Sequence, residues 1–245
     1  MARDLTSIIM PVLLPDPYNK FMEMTRYAIQ SIQNFTKPDE YELILIEAGK
    51  RYDNINLGKN LRPEIDQYIS FPNNHPQPAS MNLGISKTKG KYICLICNDC
   101  FVCPDWLDAV KRCLARGNNF AGAYHHRIPY EDYLKKLEDY NSDNYAVGGS
   151  NFTTIAFSCT LFTREDYEKV GPFDEKLTFN KWDVDYSWRI AEAKMLCDSA
   201  VDAPVTHRRA ATYWGSKLPE GIENYWDGPL AHAEGRYFKE KWGDK

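Results

Sequence analysis

Asn98 and Asp99 end an apolar run of strand length, residues 92–97, that begins shortly after Gly90. Such a run predicts a strand buried on both faces, as in a parallel or mixed sheet covered by helices. An aspartate at the carboxyl end of a central strand lies where open α/β sheets bind ligands. Its oxygens are the donors that Mg²⁺ and Mn²⁺ prefer, so Asp99 is a candidate metal ligand. The alternative is that the pair only caps the strand and turns the chain.

Four cysteines share this stretch with C-x₂-C-x₂-C-x₂-C spacing, which is close to the run that binds iron–sulfur clusters: Cys94, Cys97, Cys100 and Cys103. Cluster ligands need an irregular, mostly polar loop, whereas the residues between these cysteines favour strand. On an extended strand, cysteines at this spacing point to opposite faces. We therefore predict buried free thiols that act as small hydrophobes, with the iron–sulfur cluster as the alternative.

Length and composition limit the fold classes, partners and cellular compartments that this sequence fits. A chain of 245 residues, 43% of them hydrophobic, suits one α/β domain. Its net charge of -4 does not indicate sequence-independent binding of nucleic acid. Seven cysteines without a secretory signal indicate free thiols in a reducing compartment. No stretch approaches the length of a membrane span. These features predict a soluble, cytoplasmic protein without a transmembrane segment.

The elements that must position the candidate residues alternate along the chain. Apolar runs predict strands over residues 7–12, 41–46, 67–71, 92–97, 120–124 and 155–163, with short extended pieces at 195–197 and 201. Amphipathic patterns predict helices over 19–35, 79–88, 104–116, 130–140, 164–170, 183–193 and 236–242. Strand–helix alternation without internal repeats predicts an α/β fold with a doubly wound sheet.

Six motifs occur in an order that resembles the family 2 inverting glycosyltransferases of the GT-A fold. They are S-I-I-M-P-V (7–12), L-I-L-I-E-A-G (43–49), A-S-M-N-L-G-I (79–85), N-D-x-x-V-x-P-x-W-L (98–107), G-P-F-D-E (171–175) and W-D-V-D-Y-S-W-R (182–189). The resemblance implies a Rossmann-like, mixed but mostly parallel central sheet covered by helices. It implies a GT-A domain over about 1–205, with a donor half (1–105) and an acceptor half (106–205). An aromatic and basic tail, 206–245, would pack on this core.

The resemblance also implies a donor site. Pro11 and Glu47 match the ends of the family's first two strands, which grip the base and ribose of the nucleotide; Glu47 replaces the usual aspartate. Asn82 matches the asparagine of the helix that lines the nucleotide pocket. Asn98 and Asp99 fall in the donor site through the fourth motif. The implied donor is a nucleotide sugar, with a UDP-sugar favoured.

A metal site follows from the same resemblance. Asp99 matches the last aspartate of the family's D-x-D motif, whereas Cys97 stands where the first aspartate usually does. His207 matches a histidine that completes the metal site in some relatives; otherwise it is a loop residue. The implied cofactor is Mn²⁺ or Mg²⁺, held with a single carboxylate.

Asp183 matches the family's catalytic base, and Trp182 replaces the glutamate that normally precedes it and falls in the acceptor site. Inversion requires a carboxylate that takes the proton of the acceptor hydroxyl as that hydroxyl attacks the anomeric carbon. The alternative for Asp183 is a helix N-terminal aspartate favoured by the helix dipole. We interpret its neighbour Asp185 in that second way.

The implied function is metal-assisted, inverting transfer of a sugar from a nucleotide sugar to a hydroxyl. A catalytically inactive sugar- or nucleotide-binding module stays open because Cys97 replaces an aspartate. A nucleotidyltransferase is disfavoured, because residues 13–17 lack the glycine-rich basic loop that would hold a triphosphate. The acceptor is unassigned: a glycan intermediate, another protein or a hydroxymethylated nucleic-acid base. The last of these fits the mixture of cations and aromatics over residues 207–217.

Overall fold

The computed structural model describes residues 4–14, 19–50, 65–71, 75–126, 157–178, 181–207 and 229–243. Within these ranges the strands are β1 (Thr6–Leu14), β2 (Tyr41–Lys50), β3 (Gln67–Ser70), β4 (Tyr92–Ile96), β5 (Cys100–Val102), β6 (Phe120–His126), β7 (Cys159–Thr163) and β8 (Cys197–His207). The helices are α1 (Asn19–Phe35), α2 (Gln77–Lys87), α3 (Trp106–Ala115), α4 (Arg164–Val170), α5 (Trp182–Glu192) and α6 (Pro229–Trp242). The helix predicted over 130–140 lies outside the described residues.

All the described strands form one sheet in the order β3-β2-β1-β4-β7-β6-β8-β5. The first four positions are mutually parallel, so the carboxyl ends of β1, β2, β3 and β4 share one edge. Strand β7 is antiparallel to both β4 and β6, β8 is parallel to β6, and β5 is antiparallel to β8. This is the mixed, mostly parallel sheet that the sequence predicts.

The sheet is buried on both faces, because apolar side chains fill both sides of its central strands. In β1, Ile8 and Met10 face one core and Ile9 the other. Strand β4 alternates in the same way, with Cys94 on the first side and Ile93 on the second. Continuous apolar runs are therefore needed where a helix covers each face.

The two cores contain different side chains, because different helices cover the two faces of the sheet. Helices α1 and α3 supply the first face, with Trp106 of α3 fully buried there. Helices α2 and α5 supply the second face, where Phe120, Phe162 and Tyr186 form an aromatic cluster. No helix in the described part of the chain combines the length and hydropathy that crossing a bilayer needs.

The last strand departs from the sequence prediction. Residues 195–197 and 201 were expected as short extended pieces, but β8 is one strand of 11 residues, Cys197–His207. Pairing with β6 holds most of its length, across a register shift between Ala123 and Tyr124, and pairing with β5 holds its end. Tertiary pairing thus supplies an extended conformation that the polar sequence of β8 does not specify.

Gly90, just before β4, lies where the chain passes very close to Leu5 and Ser7, and this close approach can be tested. A Cβ there would meet the Leu5 carbonyl oxygen and lie 2.8 Å from Ser7 Oγ, so the backbone would have to shift. We expect Gly90→Ala to lower the free energy of unfolding by about 1–3 kcal/mol, the usual effect of overpacking. Urea denaturation measures this change.

Gly235 in α6 is the matched control, because a Cβ there meets nothing within 4 Å. Gly235→Ala should raise the free energy of unfolding by about 0.5–1 kcal/mol, since glycine weakens a helix interior. Equal effects of the two substitutions would contradict the close approach of the chain at Gly90.

Candidate functional site

Asp99 and His207 are brought together by a strand pairing that closes the far edge of the sheet. Strand β4 ends at Ile96, the chain turns, and β5 runs antiparallel to β8 with Cys100 opposite His207. Asp99 Oδ1 then lies 3.3 Å from His207 Nε2. Asp99 is only 6% exposed. The structure therefore joins the two residues predicted as metal ligands.

The thiol of Cys100 belongs to the same group. Its sulfur, a carboxylate oxygen of Asp99 and a ring nitrogen of His207 all lie within 4.8 Å of one another. Oxygen, nitrogen and sulfur donors at this separation fit a divalent transition metal. Sequence reasoning missed Cys100 because it treated this cysteine only as a cluster ligand or a small hydrophobe.

The cysteine run otherwise behaves as buried thiol. Cys94, Cys97, Cys100 and Cys103 are all free, and three of them are buried. Burial raises the pKa of the Cys103 thiol to about 12. Burial, with a contact from the Cys97 thiol, likewise holds the pKa of Cys100 well above its ordinary value. That this run holds no iron–sulfur cluster stays a prediction.

The turn that carries Asp99 is anchored on both sides. The buried Asn98 donates from Nδ2 to Thr25 Oγ1 at 3.0 Å, which ties the turn to α1. The Cys97 amide donates to the Ser158 carbonyl at 2.8 Å. Gln77 Nε2, at the start of α2, reaches Cys97 Sγ at 4.0 Å. Asn98 thus positions Asp99, and its predicted contact with the donor stays a prediction.

Glu47 lies near the end of β2, opposite Val12 of β1 and Ser70 of β3. It is 1% exposed, and its Oε2 accepts hydrogen bonds from the hydroxyls of Tyr68 and of Ser70, the latter at 2.9 Å. Pro11 is half-buried in β1 beside it, in register with Ile46. The two residues predicted to grip the nucleotide therefore share one edge of the sheet.

An aromatic pair beyond β3 was not foreseen. The rings of Phe71 and His75 stack with centroids 3.9 Å apart and planes 13° apart. The Phe71 amide donates to the Glu47 carbonyl at 3.0 Å, and His75 Nδ1 lies 3.0 Å from Ser80 Oγ. Both rings are half-buried beside the predicted donor residues. Phe71 precedes the proline-rich loop over residues 72–78 and His75 lies within it, and this loop was the sequence signal that could have indicated the pair.

Asn82 of α2 is engaged with the G-P-F-D-E loop. Its Nδ2 donates to the Phe173 carbonyl at 3.0 Å and to Glu175 Oε1 at 2.9 Å. Its Oδ1 accepts from the Phe173 amide at 2.9 Å and from the Tyr167 hydroxyl at 3.1 Å. These contacts join α2 to α4 and to the loop that follows it. Donor binding by Asn82 stays a prediction.

Trp182 and Asp183 begin α5. The Trp182 ring is 8% exposed and packs on Phe157 and Phe173, with centroids 5.7 and 5.8 Å away. Asp183 is half-buried, and its Oδ1 accepts from the Val184 amide at 2.8 Å. Burial raises the pKa of Asp183, although this amide opposes the shift. A raised pKa suits a general base; acceptor contact by Trp182 stays a prediction.

A short chain of contacts connects Asp183 to Asp99. The ring of Trp182 packs on Phe157, and the next residue, Ser158, accepts the amide of Cys97. The Cys97 carbonyl in turn accepts the Cys100 amide at 3.1 Å, which closes the turn around Asp99. The start of α5 and the turn that carries Asp99 are thus connected through residues 157 and 158.

The interpretation of Asp185 as a carboxylate favoured by the helix dipole accounts for only part of its surroundings. It does lie in the first turn of α5, but its side chain is fully buried. Its oxygens contact Arg189 Nε at 3.0 Å, Lys241 Nζ at 2.7 Å and Trp242 Nε1 at 2.8 Å. Lys241 also pairs with Asp174 at 2.6 Å. Asp185 therefore anchors α6 to α5.

A mixed, mostly parallel sheet covered by helices on both faces is the architecture of a GT-A domain. The crystal structure of GalNAc-T7 with UDP, GalNAc and Mn²⁺ shares this fold, with a TM-score of 0.63 and 13% sequence identity over 83% of this chain and 44% of that one. The predicted fold class is confirmed.

The Glycosyl transferase family 2 profile matches residues 7–171, and the chain belongs to that family. An uncharacterized glycosyltransferase of Rickettsia bellii (strain RML369-C) is 31% identical over 173 residues, which is 70% of this chain. The chain spans 23% of the length of that curated relative. The family resemblance seen in the sequence is confirmed.

Proposed function

We propose that this chain transfers a sugar from a nucleotide sugar to an acceptor hydroxyl, with inversion at the anomeric carbon and with a divalent metal. The observation that carries the proposal is the Asp99–His207 pair at 3.3 Å, which brings together the two residues that the resemblance implies as metal ligands. Family membership over residues 7–171 supplies the reaction class. The GT-A neighbour's complex with UDP and Mn²⁺ supports a UDP-sugar as the donor.

In this proposal the donor occupies the edge formed by β1, β2 and β4. Pro11 and Glu47 hold the base and ribose, and Asn82 and Asn98 shape the pocket around the nucleotide. Asp99 and His207 would hold Mn²⁺ or Mg²⁺, which supplies charge neutralisation on the departing diphosphate when bound. The donor half is about 1–105, the acceptor half about 106–205, and the tail 206–245 adds His207 at its start.

Asp183 acts as the base. Its carboxylate takes the proton of the acceptor hydroxyl while the hydroxyl oxygen attacks the anomeric carbon. Burial, which raises its pKa, makes the carboxylate a better proton acceptor. Trp182, one residue earlier, is proposed to bound the acceptor site. The acceptor itself stays open between a glycan, a protein and a nucleic-acid base.

The thiols support the predicted compartment. The structure describes all seven cysteines, and it places none of them in a disulfide. Free thiols are typical of a reducing compartment, so we propose a cytoplasmic location.

Screening the purified chain against a panel of nucleotide sugars, with release of the nucleoside diphosphate as the readout, tests the function. We expect release from one donor, lost in EDTA and restored by Mn²⁺. Asp99→Asn should lose it, because an amide binds hard cations weakly. Asp108→Asn, an exposed aspartate on α3, is the matched control and should retain activity.

Two outcomes would contradict the proposal in different ways. Full activity after exhaustive EDTA treatment would remove the metal from the mechanism. Tight binding of a nucleoside diphosphate without turnover of any donor would identify an inactive binding module, which the replacement of an aspartate by Cys97 favours as the second candidate.

A further inference from the structure

The third side chain beside the Asp99–His207 pair is a thiol, and the strand pairing places it there. Cys100 is directly opposite His207 in the antiparallel β5–β8 pair, so their side chains share one face of the sheet. Asp99 precedes Cys100 in the turn, and its Oδ1 lies 3.3 Å from His207 Nε2. The three ligand atoms lie within 4.8 Å of one another. Among the described residues this is the group of metal-ligand side chains that converges on one point.

We infer that Cys100 is a ligand of this metal site and that the site therefore selects thiophilic divalent cations, such as Zn²⁺, Co²⁺ or Cd²⁺, over Mg²⁺. The inference rests on the metal site of the proposed function but not on sugar transfer. Cys100 binds as the thiolate, with its proton released to solvent as the metal–sulfur bond forms. Asp99 supplies an oxygen and His207 a neutral nitrogen.

The geometry is compatible with direct coordination. Zinc binds sulfur at about 2.3 Å and nitrogen or oxygen at about 2.0–2.2 Å, so ligand atoms around a tetrahedral ion lie about 3.3–3.8 Å apart. The Asp99–His207 separation of 3.3 Å already falls in this range. The sulfur needs a shift of about 1 Å at most from its present position to reach the same spacing.

The donor set explains the selectivity. Mg²⁺ requires oxygen donors and gains nothing from sulfur, whereas thiolate and imidazole favour softer transition metals. A second carboxylate would have restored a hard site, but Cys97 stands at that position of the motif and contacts the Cys100 thiol. One carboxylate and one thiolate still supply the two negative charges that neutralise the cation.

Cys103 is the comparison residue, because it is a buried cysteine that does not lie beside Asp99 and His207. It lies in the same run, is 7% exposed and is free, yet it does not belong to the ligand group. If Cys100 were only a small hydrophobe, Cys100→Ser and Cys103→Ser would behave alike towards metal.

Titration of the full chain with Co²⁺, followed by absorption spectroscopy, tests the inference. We expect a near-ultraviolet sulfur-to-cobalt charge-transfer band that saturates with one equivalent of metal. Cys100→Ser should lose the band and should weaken Cd²⁺ binding by at least the about 10–100-fold that even outer partners of a metal contribute. Cys103→Ser should retain both. Mg²⁺ binding should be nearly the same in all three proteins.

His207→Asn is the second variant and keeps the test decisive if Cys100→Ser does not fold. It should also lose the band, because the thiolate would then lack its neighbouring ligand. Co²⁺ binding without a sulfur band in the unsubstituted chain would overturn the inference and leave the metal of the proposed function intact. No binding of Co²⁺, Mn²⁺ or Mg²⁺ in the presence of UDP would remove the metal site itself.

Discussion

Asp183→Asn should lower kcat for sugar transfer by about 10²–10⁴-fold, the usual contribution of general base catalysis. Asparagine keeps the shape of the side chain and an oxygen that can still accept the Val184 amide, now at 2.8 Å. It cannot take the proton of the acceptor hydroxyl. Donor affinity should be retained, because the groups proposed to hold the donor lie at the ends of β1, β2 and β4. Steady-state kinetics and calorimetric titration with UDP and metal measure the two effects.

The pH dependence gives an independent check on the same residue. A base works deprotonated, and burial raises the pKa of Asp183 above its ordinary value of 3.8. We therefore expect kcat to fall as the pH decreases through this raised pKa, so the acid limb should lie above 3.8. The acid limb should be absent from the pH profile of the small residual activity of Asp183→Asn.

Asp198→Asn is the matched control. Asp198 is also half-buried, and its Oδ1 accepts the amide of the next residue, Ser199, at 2.8 Å, as Asp183 does with Val184. It lies at the start of β8 rather than at the beginning of α5. An unchanged rate for Asp183→Asn would refute the assignment of the base.

Asp185→Asn should lower the free energy of unfolding by about 3–5 kcal/mol, because removing one partner of a buried ion pair leaves uncompensated charge. Two carboxylates, Asp174 and Asp185, face two cations, Arg189 and Lys241, across the junction of α5 and α6. The substitution leaves one carboxylate for two cations in a site where Asp185 is fully buried. Urea denaturation followed by circular dichroism measures the change.

Trp242→Phe is the control for this network. It removes the indole N–H that donates to Asp185 at 2.8 Å together with part of a buried ring, and it keeps an aromatic ring against Trp188. Its expected cost, about 1–3 kcal/mol, combines one hydrogen bond with a small loss of buried ring volume. A loss for Asp185→Asn within the about 0.3–1 kcal/mol of a helix-dipole effect would show that the buried pairs do not stabilise the fold.

Local pattern predicted most strands and helices of the first half of the chain because each of them is encoded by its own residues. The run at 92–97 predicts β4 (Tyr92–Ile96), and the pattern over 19–35 predicts α1 with the bounds that the structure has. Burial on both faces imposes a continuous apolar sequence that can be read without knowing the partners. Strands β5 and β8 were harder to predict: β5 is only three residues long, and β8 is polar at many positions and is extended because β6 and β5 pair with it.

The sequence by itself indicated the candidate base and the candidate metal carboxylate, because the motifs around Asp183 and Asp99 are local and resemble one family. Only the tertiary structure decided which side chains meet them. Cys100 becomes a neighbour of His207 through the β5–β8 register, and Asp185 becomes a buried anchor through Lys241 on the last helix. The physical reason is that ligand sets and ion pairs depend on distances between atoms of segments far apart in the chain. Such distances are set by how the strands and helices pack in the whole domain, and not by the spacing of residues along the chain.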